Sequence, residues 1–365
     1  MATNSGIISS FAVTSEGLRD ALHRTIGPFY PPDPARPYCG TRARRRASRE
    51  EPFMERYGFA PSTTFPLDLS VRVGCELVYQ AAAEAAILVL FKPRQAQTQL
   101  IREERVHFEP ALVPREFEDE HGNIVYRMTL KRGRNFLRHD AIVRVPSTRE
   151  DAMRVDGVVA PHDLPPEVLR YTLPSRYADS DKMRDFAWGK FGHVPQGLER
   201  VQAICEWTHR NIEYRTGSGD PTLSAWDVVK RGYGVCRDLA HVALGFCRTF
   251  NIPARYVTGH VADIGVFDPG IPFDFHAYFE VYLAGRWQTF DARYNRPRIG
   301  RIKIASGLDA SNCAFSTIYG AVSLERFQVW AYQVDPGEVS TADPVDLSRR
   351  LDGTEELRFS GRAAR

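Results

Sequence analysis

Cys236 heads a segment that is apolar almost all round (Leu239, Ala240, Val242, Ala243, Leu244, Phe246, Cys247, Phe250), introduced by Gly232-Tyr233-Gly234 and stopped by Asn251 and Pro253. Such a segment reads as a helix buried in the middle of a domain. The two glycines permit the tight loop that would present the cysteine. A thiol at the tip of that helix meets unpaired backbone N–H groups and the positive end of the helix dipole. Both favour an anion, so a thiolate nucleophile with a lowered pKa is the expectation.

A cysteine among apolar residues is by itself more often core than catalyst, so partners are required. Phe273 to Leu283 (FDFHAYFEVYL) and Trp287 to Asp291 (WQTFD) each alternate with period two, and Ala284-Gly285 between them signals a hairpin. In the first strand His276, Tyr278, Glu280 and Tyr282 share one face. If the loop has two residues, Leu283 pairs with Arg286, and Asp291 falls on the face of His276, one diagonal step away. Cys236, His276 and Asp291 then form a nucleophile, a base and a group that orients the base. The chemistry is attack on an amide carbonyl, proton transfer to the leaving amine, and a thioester that meets either water or an amine. The Cys236 backbone N–H is one natural oxyanion donor. Trp226, Tyr214 and Tyr278 are candidates for a second.

Two neighbours of the cysteine read differently. Asp238 is a first-turn acid that suits the helix dipole, and His241 faces away, because a five-residue step on a helix turns by about 140°. That divergence also argues against a zinc site built from Cys236, His241 and Cys247. No metal or cofactor is expected, since no calcium loop, nucleotide-binding or flavin motif is present.

The residues around these three resemble bacterial transglutaminase-like proteins of the papain-like cysteine enzyme superfamily. The resemblance rests on GVCRDLAHVAL (Gly234 to Leu244), IPARYVTGH (Ile252 to His260), DFHAYFEVYLAGRW (Asp274 to Trp287) and TFDARYNRPRIGR (Thr289 to Arg301). LPSRYADSD (Leu173 to Asp181) and YGAVSLERFQVW (Tyr319 to Trp330) extend it on either side. It implies the same triad, Cys236, His276 and Asp291. It also implies an α+β fold, with a central helix packed on an antiparallel β-sheet after a small β-rich domain. The implied activity is hydrolytic, a peptidase or amidase acting on a peptide or protein. Amine transfer by a transglutaminase and a non-catalytic binding scaffold are the alternatives. Tyr278, where many relatives have tryptophan, and Asn312, where aspartate is expected, depart from the pattern.

The elements that must position the site follow from the pattern along the chain. Residues 1–64, with a proline cluster and the arginine run Arg42 to Arg49, read as a poorly ordered extension or as sequence upstream of a start at Met54. Residues 65–150 read as a β-rich domain built on LSVRVGCELVY, AAILVLF, YRMTL and AIVRV, and residues 151–340 as the catalytic domain. Within the latter, Gly197 to Tyr214 is an amphipathic helix and Ser224 opens a capped one. Residues 341–365 read as a polar tail. Arg293, Arg296, Arg298 and Arg301 could hold a substrate carboxylate or form a solvated face of internal ion pairs.

Composition sets the outer bounds. The 365 residues carry a formal net charge of +3, too small to imply nucleic acid or membrane as a partner. The apolar run Ala81 to Phe91 is too short to span a bilayer. MATNSGIISSFAVTSEGL lacks the pattern of a secretory signal. The six cysteines show no paired spacing, as in a reducing compartment, so a cytoplasmic protein is expected.

Overall fold

The computed structural model describes residues 65–266 and 273–347. The extension read at 1–64, and the tail beyond residue 347, lie outside the described residues.

The chain first forms β1 (Leu69–Ala81), β2 (Ala85–Val89), β3 (Leu100–Glu109), β4 (Arg115–Glu118), β5 (Ile124–Leu130) and β6 (Gly133–Val145). A connection carrying α1 (Pro166–Leu169) leads to α2 (Arg184–Phe191), α3 (Leu198–Asn211), the short β7 (Glu213–Tyr214), α4 (Ala225–Arg231), β8 (Tyr233–Gly234) and α5 (Cys236–Thr249). Strands β9 (Ala254–Val261), β10 (His276–Leu283), β11 (Arg286–Phe290), β12 (Arg301–Gly307), β13 (Ser316–Tyr319) and β14 (Val322–Gln333) complete it. The fold is α+β with antiparallel sheets. One of them, ordered β11-β10-β9-β12, supports the helical half.

Helix α5 is buried over most of its length, as its all-round apolar sequence requires. Leu239, Val242, Leu244 and Phe246 pack in one core with Ala277, Phe279 and Val281 of β10 and with Val201 and Ile204 of α3. Helix α4 has the expected capping box, with the Ser224 side chain accepting from the Asp227 amide and Asp227 accepting from the Ser224 amide. It ends at Gly232 in the left-handed region, φ 76°, where a side chain would be strained. Helix α2 is an element that the sequence pattern does not signal. Eight residues with a central Gly189 carry too short a stripe to signal a helix.

The N-terminal strands form two more sheets, and both recruit strands from the far end of the chain: the orders are β14-β1-β6-β3 and β13-β2-β5-β4. The unit expected at 151–340 is therefore not continuous in space, because β13 and β14 complete the N-terminal sheets. Val71 pairs with Gln333 and Ser316 with Val89. Such a pairing rests on complementary faces far apart in sequence, which local periodicity does not reveal. Cys75, Leu77 and Tyr79 of β1 meet Ile87, Val89 and Met128 between the two sheets, so Cys75 is core. A further apolar cluster joins β1 and β6 to Ala262, Ile264 and Ile302 beside the third sheet.

The described part of the expected polar tail is docked rather than free. The buried Arg72 guanidinium donates to the Asp140 carboxylate at 3.0 and 2.7 Å, and to the carbonyls of Asp343 and Pro344 at 2.7 and 3.2 Å. Trp330 Nε1 donates to the same carboxylate at 3.2 Å. A buried arginine with one carboxylate partner is strongly destabilising when that partner is lost. Asp140→Ala is expected to lower unfolding free energy by about 3–5 kcal/mol, read as a shift in denaturant midpoint. An Arg72→Met, Asp140→Ala double variant should recover part of that loss, and no recovery would assign the effect to packing instead of the stranded charge.

Candidate active site

The tip of α5 is built around a carboxylate. Asp238 Oδ2 accepts the Val235 amide at 3.0 Å, while Arg237 Nε and Nη2 donate to its Oδ1 at 2.8 and 2.6 Å. This acid caps the first turn, as its position implied. Gly234 is needed because a Cβ there would lie 2.7 Å from the Asp238 Cβ. The loop thus presses against its own cap, and Cys236 emerges at the first helical position. There its amide has no partner within the helix. Cys236 is partly exposed, whereas Cys75, Cys205, Cys247 and Cys313 are buried. Cys39 lies outside the described residues.

The hairpin has the expected register. Leu283 pairs with Arg286, and Ala284 and Gly285 both take positive φ, 49° and 78°, as a two-residue turn demands. His276 opens β10 and Asp291 follows β11. His276 Nε2 and Asp291 Oδ2 are 2.7 Å apart. The other ring nitrogen, Nδ1, is buried with no hydrogen-bond partner. The amide of Ala277, the next residue along β10, donates to the Cys236 sulfur. The thiol therefore rests against the strand end that carries the histidine, whose Nδ1 is the ring nitrogen that Asp291 leaves without a partner.

Asp291 is held on every side. Oδ2 also accepts from Arg301 Nη2 at 2.9 Å, and Oδ1 accepts the amides of Arg293 and Tyr294 at 2.9 and 3.1 Å. Burial opposes its charge, but His276, Arg301 and these amides hold the carboxyl well below the usual carboxylate range. Arg301 also donates to Glu150 at 2.5 Å and lies over the Tyr278 ring, 4.5 Å from its centroid. Nothing in the periodicity assigned Arg301 to the aspartate, because an irregular loop separates them. Beyond these groups a cavity of ≈ 90 Å³ is lined by Glu150, Tyr278, Glu280, Arg301 and Lys303.

Of the four arginines read as a possible carboxylate site, two are internal ion pairs. Arg298 binds Asp263 at 2.8 Å, and Arg301 binds Glu150 and Asp291. Arg296 is exposed. Arg293 lies over the Tyr214 ring at 3.8 Å and the Tyr294 ring at 4.8 Å, and the Tyr294 ring stands 5.1 Å from that of His276. Among the oxyanion candidates, Trp226 packs on Phe186, 5.7 Å between centroids, and Tyr278 faces Arg301. Tyr214 shares the surroundings of the thiol. Burial first and then the nearby Cys236 push its phenol up to about 12.

His241 takes no part. Its Nε2 accepts the Ala310 amide at 3.1 Å, and its ring stacks between Tyr177 and Tyr256. Asn312 serves a local turn, accepting the Leu308 amide at 3.0 Å. Among the described residues no three His, Cys, Asp or Glu side chains are grouped to hold a metal ion, and no helix is long and apolar enough to cross a membrane.

The thiol departs from the expected lowered pKa. Burial pushes it up to about 11, against the pull of Arg293 and the Ala277 amide, and burial pushes His276 down to about 4 in spite of Asp291. Both shifts favour a neutral thiol beside a neutral imidazole.

Residues 187–292 match the core domain model of the transglutaminase-like superfamily, a span that contains all three residues. A protein of Mycobacterium leprae (strain TN), described as uncharacterised, is 27% identical over 222 residues, 58% of this chain and 77% of its own. A crystal structure of a candidate cysteine protease from Cytophaga hutchinsonii superposes with a TM-score of 0.66 at 28% identity, covering 73% of this chain and 91% of that one. The periplasmic domain of TgpA from Pseudomonas aeruginosa, at 16% identity and a TM-score of 0.32, covers 62% of this chain and 90% of that domain.

A histidine with a depressed pKa stays neutral, and so available as a base, until the pH falls to its folded value. The rate of Cys236 alkylation by iodoacetamide is therefore expected to hold from neutrality down to pH about 5 and to be lost through about 4. An acid limb centred at 6.5 or above would show that burial does not govern the pair.

Proposed function

We propose, on the premise that the chain carries a transglutaminase-like core, that it catalyses cysteine-dependent acyl transfer at amide bonds of a peptide or protein, with water as the acceptor. The observation that carries this reading is the division of labour on the His276 ring: Nε2 is bound to Asp291 at 2.7 Å while the buried Nδ1 is unpartnered. Buried unpartnered ring nitrogens also occur at His139 and His260, so what supports the reading is that this one stands at the strand end whose next amide, of Ala277, reaches the Cys236 sulfur.

Cys236 attacks the carbonyl carbon as its proton passes to His276 Nδ1. The tetrahedral oxyanion takes the Cys236 amide as one donor. His276 then gives that proton to the departing amine, the C–N bond breaks, and a thioester remains on Cys236. Water attacks the thioester, losing its proton to His276. The acid product leaves as the thiol is restored. Asp291 keeps Nε2 protonated and the ring in place throughout. Similarity to the candidate cysteine protease supports water over an amine as acceptor.

A mixed peptide digest offered in ¹⁸O-water with a fluorescent primary amine separates the outcomes. Hydrolysis places ¹⁸O in new carboxylates, and amine transfer places the fluorophore on acyl groups. Turnover is expected to vanish in Cys236→Ala and to fall by about 10²–10⁴-fold in His276→Ala. If neither label is incorporated and Cys236 is alkylated no faster than the buried cysteines, the chain is a binding scaffold.

A further inference from the structure

Of the four arginines in the cluster, Arg293 and Arg296 form no ion pair among the described residues, and Arg293 is the half-buried one whose charge reaches the thiol. Its guanidinium makes no side-chain hydrogen bond or ion pair among the described residues. It is nevertheless held firmly, stacked on Tyr214 at 3.8 Å and on Tyr294 at 4.8 Å. These rings come from two different parts of the chain. Tyr214 pairs with Gly234, two residues before the nucleophile, whereas Tyr294 stands against the His276 ring. Arg293 thus stands within electrostatic reach of the thiol, half-buried, with its planar fork of donors in no ion pair among the described residues.

The nearby acids do not fill that fork. Asp291 is occupied by His276, Arg301 and two amides. Asp274 feels the charge of Arg293 without forming an ion pair with it. A guanidinium kept rigid by aromatic faces loses little freedom on binding and matches a carboxylate in two-point geometry. An arginine needed only for packing would gain nothing from facing the nucleophile unpaired.

We propose that Arg293 forms an anion subsite beside Cys236, and that the preferred acyl donor carries a carboxylate close to its scissile carbonyl. The proposal rests on Cys236 being the reactive thiol. The carboxylate has two possible sources, an acidic side chain or a free chain terminus.

Two small alkylating agents of similar size test it without a known substrate: iodoacetate, which is anionic, and iodoacetamide, which is neutral. The ratio of their rates on Cys236, mapped by mass spectrometry, is expected to fall by about tenfold in Arg293→Gln. It should be largely kept in Arg293→Lys and unchanged in Arg296→Gln, which removes an exposed charge three residues away. Iodoacetamide alone reports the thiol, so a general loss of nucleophilicity changes both rates and leaves the ratio intact. Protection of Cys236 from iodoacetamide by N-acetylglycine would identify a terminal carboxylate, and protection by N-acetylaspartate α-amide a side-chain one. A ratio unchanged in Arg293→Gln overturns the subsite while the Cys236 reading stands. Labelling of Cys236 no faster than Cys75 or Cys247 overturns both.

Discussion

The Asp291 carboxylate is the point on which the rest of the site depends. It gathers the His276 ring from β10, Arg301 from β12 and the amides of Arg293 and Tyr294 from the loop between. A buried carboxylate is tolerated only when such donors replace its water. Asp291 uses them to set three things at once. It holds the imidazole by Nε2, closes the loop that carries Arg293, and ties β12 to the end of the hairpin. Arg301 shares the carboxylate with His276, so part of its charge is neutralised before any imidazolium forms. That sharing is one reason His276 remains neutral in the resting site.

Opposing effects act on the proton between Cys236 and His276. With the thiol near 11 and the imidazole near 4, burial disfavours the separated charges by several kcal/mol, at about 1.4 kcal/mol per pKa unit. The helix N-terminus returns only ~0.3–2 kcal/mol. Attraction between a thiolate and an imidazolium in contact contributes about 4 kcal/mol at an effective dielectric constant of 20. The neutral pair is therefore the favoured form in the resting site. Arg293 acts against that burial by drawing the thiol down.

Legibility in the sequence followed the range of each interaction. The helix carrying Cys236 and the hairpin relating His276 to Asp291 depend on spacing within a few residues, and the two-residue turn transmits register directly. Proximity of Cys236 to His276 crosses from helix to sheet, and there resemblance supplied what periodicity could not. Arg301 was visible as an arginine but not as a partner of Asp291, because the irregular loop between them destroys parity. The pairing of β14 with β1 spans more of the chain still. The lowered thiol pKa expected from the helix tip failed for a related reason: desolvation depends on everything packed around the sulfur, not on the helix alone.

The long-range pairing also bears on what the N-terminal half does. Strand β6 ends at Val145, and the segment after it supplies Glu150, whose carboxylate accepts from Arg301 at 2.5 Å. Arg301 in turn binds Asp291. A continuous chain of buried polar contacts therefore runs from the end of the first β unit through Asp291 to His276. The apolar cluster of Val71, Val143, Ala262 and Ile302 fixes the same two regions against each other. A buried network is stable only when its members stay matched, so any shift of the β strands against β12 would strand Arg301 and weaken its hold on Asp291. On this geometry the N-terminal strands do not touch the thiol, yet they are part of what positions it.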